Sequence, residues 1–216
     1  MDDAYILSHV DHTLLTATAS WREIELICRE AIEFKTASVC IPPCYIKRIR
    51  ENFPGLNICT VIGFPLGYDV AGAKAEAAKI AVDDGADELD MVINITDVKN
   101  GAFGSVEAEI ATLKKIAGSR ILKVIVETCY LTQQEKTSLC RIVTEAGADY
   151  IKTSTGLATA GATMEDVLLF REHIGAGVKI KAAGGIRTRD AMVAFLEAGC
   201  DRLGTSSAVK LLTVGS

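Results

Sequence analysis

No uninterrupted apolar run in this 216-residue chain is long enough to cross a bilayer, and no signal-like segment or low-complexity linker stands out. Those absences predict a single domain over residues 1–216, cytoplasmic and without membrane association. Positive charge is also scarce. The formal net charge is -5, and KRIR at 47–50 is the only short basic run. Such a balance gives little footprint for nucleic acid or an anionic surface, and KRIR reads as a solvated helix face. Histidine is limited to His9, His12 and His173, too scattered for a histidine-based metal site, and Cys40, Cys44 and Cys59 lack paired CxxC spacing. We therefore expect no metal and no other cofactor. The seven cysteines read as reduced thiols, with Cys40, Cys44 and Cys129 serving as small buried apolar residues.

What is present is a repeated rhythm. About half of the chain is apolar and a quarter is charged, which suits one sizeable core. Short β-rich runs alternate with amphipathic helical segments. Strands are predicted at 9–14, 37–41, 58–63, 88–93, 122–127, 150–154, 178–183 and 202–205. Helix starts are marked by Ser20 with Glu23, Thr132 with Glu135 and Thr163 with Asp166, each a capping oxygen three residues before a carboxylate. DDGADELD, EAGADYIK and EAGCDRLG repeat one device, a glycine that ends a helix and an aspartate just before the next strand. Eight βα units predict a closed single-domain α/β fold, the (β/α)8 or TIM barrel.

Four of these strands carry ionisable groups at alternate positions: Asp90 in ELDMVIN, Lys123 and Glu127 in ILKVIVET, Lys152 in DYIKTSTG and Lys181 in VKIKAAGG. The apolar face must pack on the helices, so the charges face the lumen. One reading is an internal ion-pair network. The other is chemical: two amines on adjacent strands repel, which lowers the proton affinity of one of them. Moving a lysine from about 10.4 to near 7 takes roughly 4 to 5 kcal/mol, within reach of burial beside a second cation. An amine so activated forms a Schiff base with a carbonyl. Past the strand ends stand Ser154, Thr155 and Gly156, then Gly184 and Gly185, then Gly204, Ser206 and Ser207. Backbone N–H groups there predict a phosphate pocket, although each glycine also serves a tight turn. The expected ligand carries both a carbonyl and a phosphate.

Motifs along nearly the whole chain resemble the bacterial deoxyribose-phosphate aldolases: VDHTLL, ASVCIPPCY, CTVIGFPLG, GADELDMVIN, LKVIVETC, GADYIKTSTG, KAAGGIRT and LGTSSAV, in order. The resemblance implies metal-independent, reversible cleavage of 2-deoxy-D-ribose 5-phosphate into acetaldehyde and D-glyceraldehyde 3-phosphate. It implies Lys152 as Schiff-base nucleophile, Asp90 and Lys181 as proton donors or acceptors, and Lys123, Asp11 and Thr155 as supporting residues. It also implies a homodimer. The chain departs from the family pattern at Tyr68 to Gly72, with Lys74 close behind, and at Leu157 and Ala208, which would weaken phosphate affinity. Two other readings share the anion pocket without needing paired lysines: a sugar-phosphate isomerase or epimerase, and a non-catalytic sugar-phosphate sensor.

Overall fold

The computed structural model describes residues 1–213. Eight parallel strands, β1 (Val10–Thr13), β2 (Ser38–Ile41), β3 (Ile58–Ile62), β4 (Glu88–Val92), β5 (Ile121–Ile125), β6 (Tyr150–Lys152), β7 (Lys179–Ala183) and β8 (Arg202–Thr205), pair in chain order and close β8 onto β1. Helices follow the strands and cover the outside, the long ones being Trp21–Glu33, Ala71–Asp83, Phe103–Ala117, Gln133–Glu145 and Met164–His173. The strands end within two residues of their expected limits.

Strand period fixes which side chains go where. Val39, Ile41, Leu89, Met91, Leu122, Val124, Ile151 and Leu203 point outward into the helix layer and are fully buried. Each such side chain contributes about 1.5–3 kcal/mol of burial, which is why the outer layer holds the ring together. Their neighbours in sequence must then face the lumen. Helix entry follows the predicted caps: Thr132 Oγ1 accepts the Glu135 N–H while the Glu135 carboxylate accepts the Thr132 N–H, and the Ser20 N–H and hydroxyl both donate to Glu23.

The repeated junction has a specific function. In each copy the glycine adopts a positive φ (Gly85 105°, Gly147 75°, Gly199 104°) that ends the helix without a side-chain clash. The aspartate that follows then grips the preceding strand. Asp87 accepts the N–H of Ile58 at 2.8 Å, Asp149 that of Leu122 at 2.8 Å and Asp201 that of Ile180 at 3.0 Å. The backbone N–H of each aspartate returns to the carbonyl of the same residue. KRIR departs from expectation in one position. Lys47 and Arg48 are exposed, but Arg50 reaches the Gly85 carbonyl at 2.7 Å and Asp87 at 2.5 Å, tying its helix to the next βα junction. The cysteines also divide: Cys40 is buried, whereas Cys44 is exposed and Cys129 only half-buried, because both follow their strands in short 3-10 turns at the rim.

Candidate active site

The lumen holds a continuous charged network. At its centre Asp90 receives three amines: Lys123 at 2.8 Å on Oδ1, and both Lys152 (2.7 Å) and Lys181 (2.6 Å) on Oδ2. Register brings them together, since Asp90 stands beside Lys123 and Lys152 beside Lys181 on paired strands. Lys181 also bonds Asp11, which in turn accepts from Arg202 and from the Ser38 hydroxyl at 2.7 Å. Below, Lys123 reaches Glu88 at 2.5 Å, and Arg202 reaches the same carboxylate at 3.2 Å. The Cys59 thiol completes Asp90 at 3.1 Å.

Electrostatics locks most of this network. Burial alone would raise the Asp90 carboxyl, yet the Lys123, Lys152 and Lys181 ammonium groups hold it well below the usual carboxylate range. Asp11 follows the same logic, with burial opposed by Lys123, Lys181 and Arg202. Conversely, burial disfavours the charged forms of Lys123 and Lys181, but Asp11 and Asp90 together hold both above the ordinary lysine value. The sequence left two readings open, an ion-pair network and a repulsion between Lys152 and Lys181 that lowers the proton affinity of one amine. The Asp90 Oδ2 atom lies between the two amines, and Lys181 gains proton affinity.

Above the network opens a cavity of about 640 Å³. Lys152 is the lumen lysine that lines it, together with Thr155, Gly156, Gly184, Gly185, Gly204, Ser206 and Ser207. The three glycine and hydroxyl clusters therefore converge, except that Ser154 is buried and does not line the cavity. Two glycines are demanded by space. A Cβ on Gly184 (φ +84°) would stand 2.9 Å from Gly161 Cα and 3.2 Å from Gly156 Cα, and one on Gly204 would stand 3.2 Å from Lys181 Cε. Among the described residues, the N–H groups of Gly156, Gly185 and Ser206 have no acceptor, whereas that of Ser207 is committed to Thr205 Oγ1 at 3.2 Å. Leu157 lies exposed on the rim, and Ala208 is buried. Lys74 stands apart from this cavity, fully buried against Glu109 at 2.8 Å and the Val92 carbonyl at 2.8 Å.

The strand pattern brought Asp90, Lys123, Lys152 and Lys181 into one cluster and the family resemblance added Asp11; the structure brings all five together. Sequence reasoning missed Glu88 and Arg202. The signal was present, because each lies two residues from a lumen position on its own strand, Asp90 and Gly204 respectively.

A closed eight-stranded βα barrel whose lumen amine faces a glycine-lined cavity at the carboxyl ends of its strands has the architecture of a TIM-barrel enzyme site. The comparisons narrow the class. The family model described as DeoC/LacD family aldolase matches residues 5–205, and the chain belongs to that family. It is 60% identical over 213 residues to a Clostridium botulinum protein named deoxyribose-phosphate aldolase, covering 98% of this chain and 96% of that one. It is 53% identical to the Clostridioides difficile protein of the same name, covering 96% and 95%. Among solved structures, the tetrameric deoxyribose phosphate aldolase of Aeropyrum pernix superposes with a TM-score of 0.91 at 32% identity, covering 98% of this chain and 91% of that one.

Proposed function

We propose that this chain reversibly cleaves 2-deoxy-D-ribose 5-phosphate to acetaldehyde and D-glyceraldehyde 3-phosphate through a Schiff base on Lys152. The observation that carries this reading is the place of Lys152: at the floor of the cavity, tethered by one shared carboxylate oxygen, beneath loops with unpaired N–H groups. Lys123 and Lys181 are each held by more than one carboxylate. They are the supports, and Lys152 is the amine free to react.

Once it has given up its proton, the Lys152 amine adds to C1 of the open-chain aldehyde, and loss of water gives an iminium. Deprotonation of the C3 hydroxyl breaks the C2–C3 bond, and its electron pair moves into the iminium to leave an enamine while glyceraldehyde 3-phosphate departs. Protonation at C2 and addition of water then release acetaldehyde and restore the amine. The protons travel through Asp90, Lys181 and a water. The surrounding ammonium groups, outweighing burial, hold Asp90 as a carboxylate, the form that can accept a proton. Lys123 and Asp11 hold Asp90 and Lys181 in place, and Thr155 stands beside the reacting oxygen. Gly156, Gly184, Gly185, Gly204, Ser206 and Ser207 receive the phosphate, so binding at the far end aligns C1 with the amine. A compartment with reduced thiols and a homodimeric state remain part of the proposal. Among the described residues no helix is long and apolar enough to cross a membrane.

Incubation with acetaldehyde and sodium borohydride, followed by peptide mass mapping, tests the chemistry. A reduced two-carbon adduct on Lys152 is the expected result. A folded protein that binds the sugar phosphate yet yields no adduct would favour an isomerase or a sensor.

A further inference from the structure

Two described residues other than glycine adopt a left-handed backbone, Lys35 (φ 52°) and Glu127 (φ 55°). Lys35 is exposed just past the helix Trp21–Glu33, where such an exit is ordinary. Glu127 is different. It is 1% exposed and follows β5, with ψ 66°, at the position that continues the lumen-facing series of Lys123 and Ile125. Both of its carboxylate oxygens accept the Thr155 N–H, at 3.2 and 3.3 Å. Thr155 belongs to the turn that leads from Lys152 to the phosphate end of the cavity, and its Oγ1 accepts the Leu157 N–H at 3.1 Å.

The backbone stitches the same two segments together. The Val126 N–H meets the Lys152 carbonyl at 3.1 Å and the Thr128 N–H meets the Thr153 carbonyl at 2.9 Å. Burial raises the proton affinity of the Glu127 carboxyl, opposed by the Thr155 bonds and by the Lys152 charge. Nearby, the buried Thr128 and Ser154 hydroxyl oxygens have no partner among the described residues. A glycine at 127 would adopt this φ without steric cost but would bring no carboxylate. The left-handed position is thus occupied by a residue whose carboxylate holds the Thr155 N–H, a contact that glycine could not make.

We infer that Glu127 is a positioning residue: its left-handed backbone and buried carboxylate fix the Thr155–Gly156 turn, and so set the distance between the Lys152 amine and the phosphate end of the cavity. This rests on the aldolase reading above. Because the group acts on spacing, its loss weighs on a substrate held at both ends more than on one held only at the amine.

The test compares wild type, E127G, E127N and E127Q on 2-deoxyribose 5-phosphate and on unphosphorylated 2-deoxyribose, alongside thermal melting. Asparagine tolerates the left-handed backbone but is too short to reach Thr155, so E127N repeats the experiment should E127G not fold. Both are expected to lower kcat/KM for the phosphate ester at least tenfold and for deoxyribose less, with melting within a few degrees of wild type. E127Q, which keeps an acceptor for the Thr155 N–H, is expected to restore most of that loss. Variants E127G or E127N that cleave the phosphate ester within twofold of wild type overturn the inference. So does a parallel loss on both sugars that tracks a fall in melting temperature. Wild-type protein that turns over neither sugar overturns the underlying reading, and this inference with it; active wild type with indifferent variants overturns the inference alone.

Discussion

The lower and upper halves of the lumen contain the same kind of residue put to different uses. Below, Lys123 touches Asp11, Glu88 and Asp90, and Arg202 bridges Asp11 and Glu88, so each cation has several acceptors. Above, Lys152 has the single Asp90 oxygen that it shares with Lys181, and beyond it lies open cavity. In the mechanism proposed above, a buried lysine is structural or reactive according to how many carboxylates hold it.

The comparison breaks most visibly at Lys152. Lys152→Ala is expected to abolish the borohydride adduct and to lower kcat by about a thousandfold or more, since among the described residues no other lumen amine lines the cavity. Retained activity in that variant would remove the distinction between the halves. Stability reverses the order. Lys123→Met leaves three carboxylates short of a partner and is expected to cost about 3–5 kcal/mol in urea unfolding, because it uncovers buried charge. Lys152→Met leaves Asp90 with two ammonium groups and should cost about 1 kcal/mol. Equal losses would mean that the network does not discriminate.

Titration sharpens the same point. Asp11 and Asp90 are held below the ordinary carboxylate value of about 3.9, so the stability they add is complete above that pH and lost as the pH falls through their lower folded values. Lys123 and Lys181 are held above about 10.4, so their contribution is complete below that pH and lost as the pH rises through their higher folded values. Urea midpoints measured against pH should accordingly be flat, as far as these groups go, from about pH 5 to pH 9 and fall on either side. An acid decline that already starts near neutrality would contradict the locked carboxylates. The smallest effect is expected at the rim. Ser206→Ala should raise KM for deoxyribose 5-phosphate by about fivefold, near 1 kcal/mol, while leaving unphosphorylated deoxyribose unaffected.

Much of this architecture could be read from the chain because strands obey a period of two. Once Leu122 and Val124 were assigned outward, Lys123 had to face inward, and the same holds for Asp90, Lys152 and Lys181. What that period does not contain is height. Whether Asp90 sits level with Lys152, or between Lys152 and Lys181, depends on the stagger of strands around a closed barrel, and the Lys181–Asp11 contact spans 170 residues. Two like charges on adjacent strands therefore suggested repulsion, whereas stagger inserts a carboxylate between them. Glu88 and Arg202 went unremarked for a related reason: at the first residue of a strand, a charge in the sequence looks like a solvated end. Cys44 and Cys129 show the limit from the other side, since residue type alone did not place them at the rim.

The aspartate grips at Asp87, Asp149 and Asp201 join β4 back to β3, β6 back to β5 and β8 back to β7, each within its own pair of strands. Every neighbouring pair shares a backbone ladder, and these three pairs carry an aspartate fastening besides, whereas β2 has no aspartate before it. Amide exchange should feel that extra stitch: the Ile58, Leu122 and Ile180 N–H groups, each held by an aspartate side chain at the entrance of its strand, would open more slowly than their counterparts at the entrance of β1.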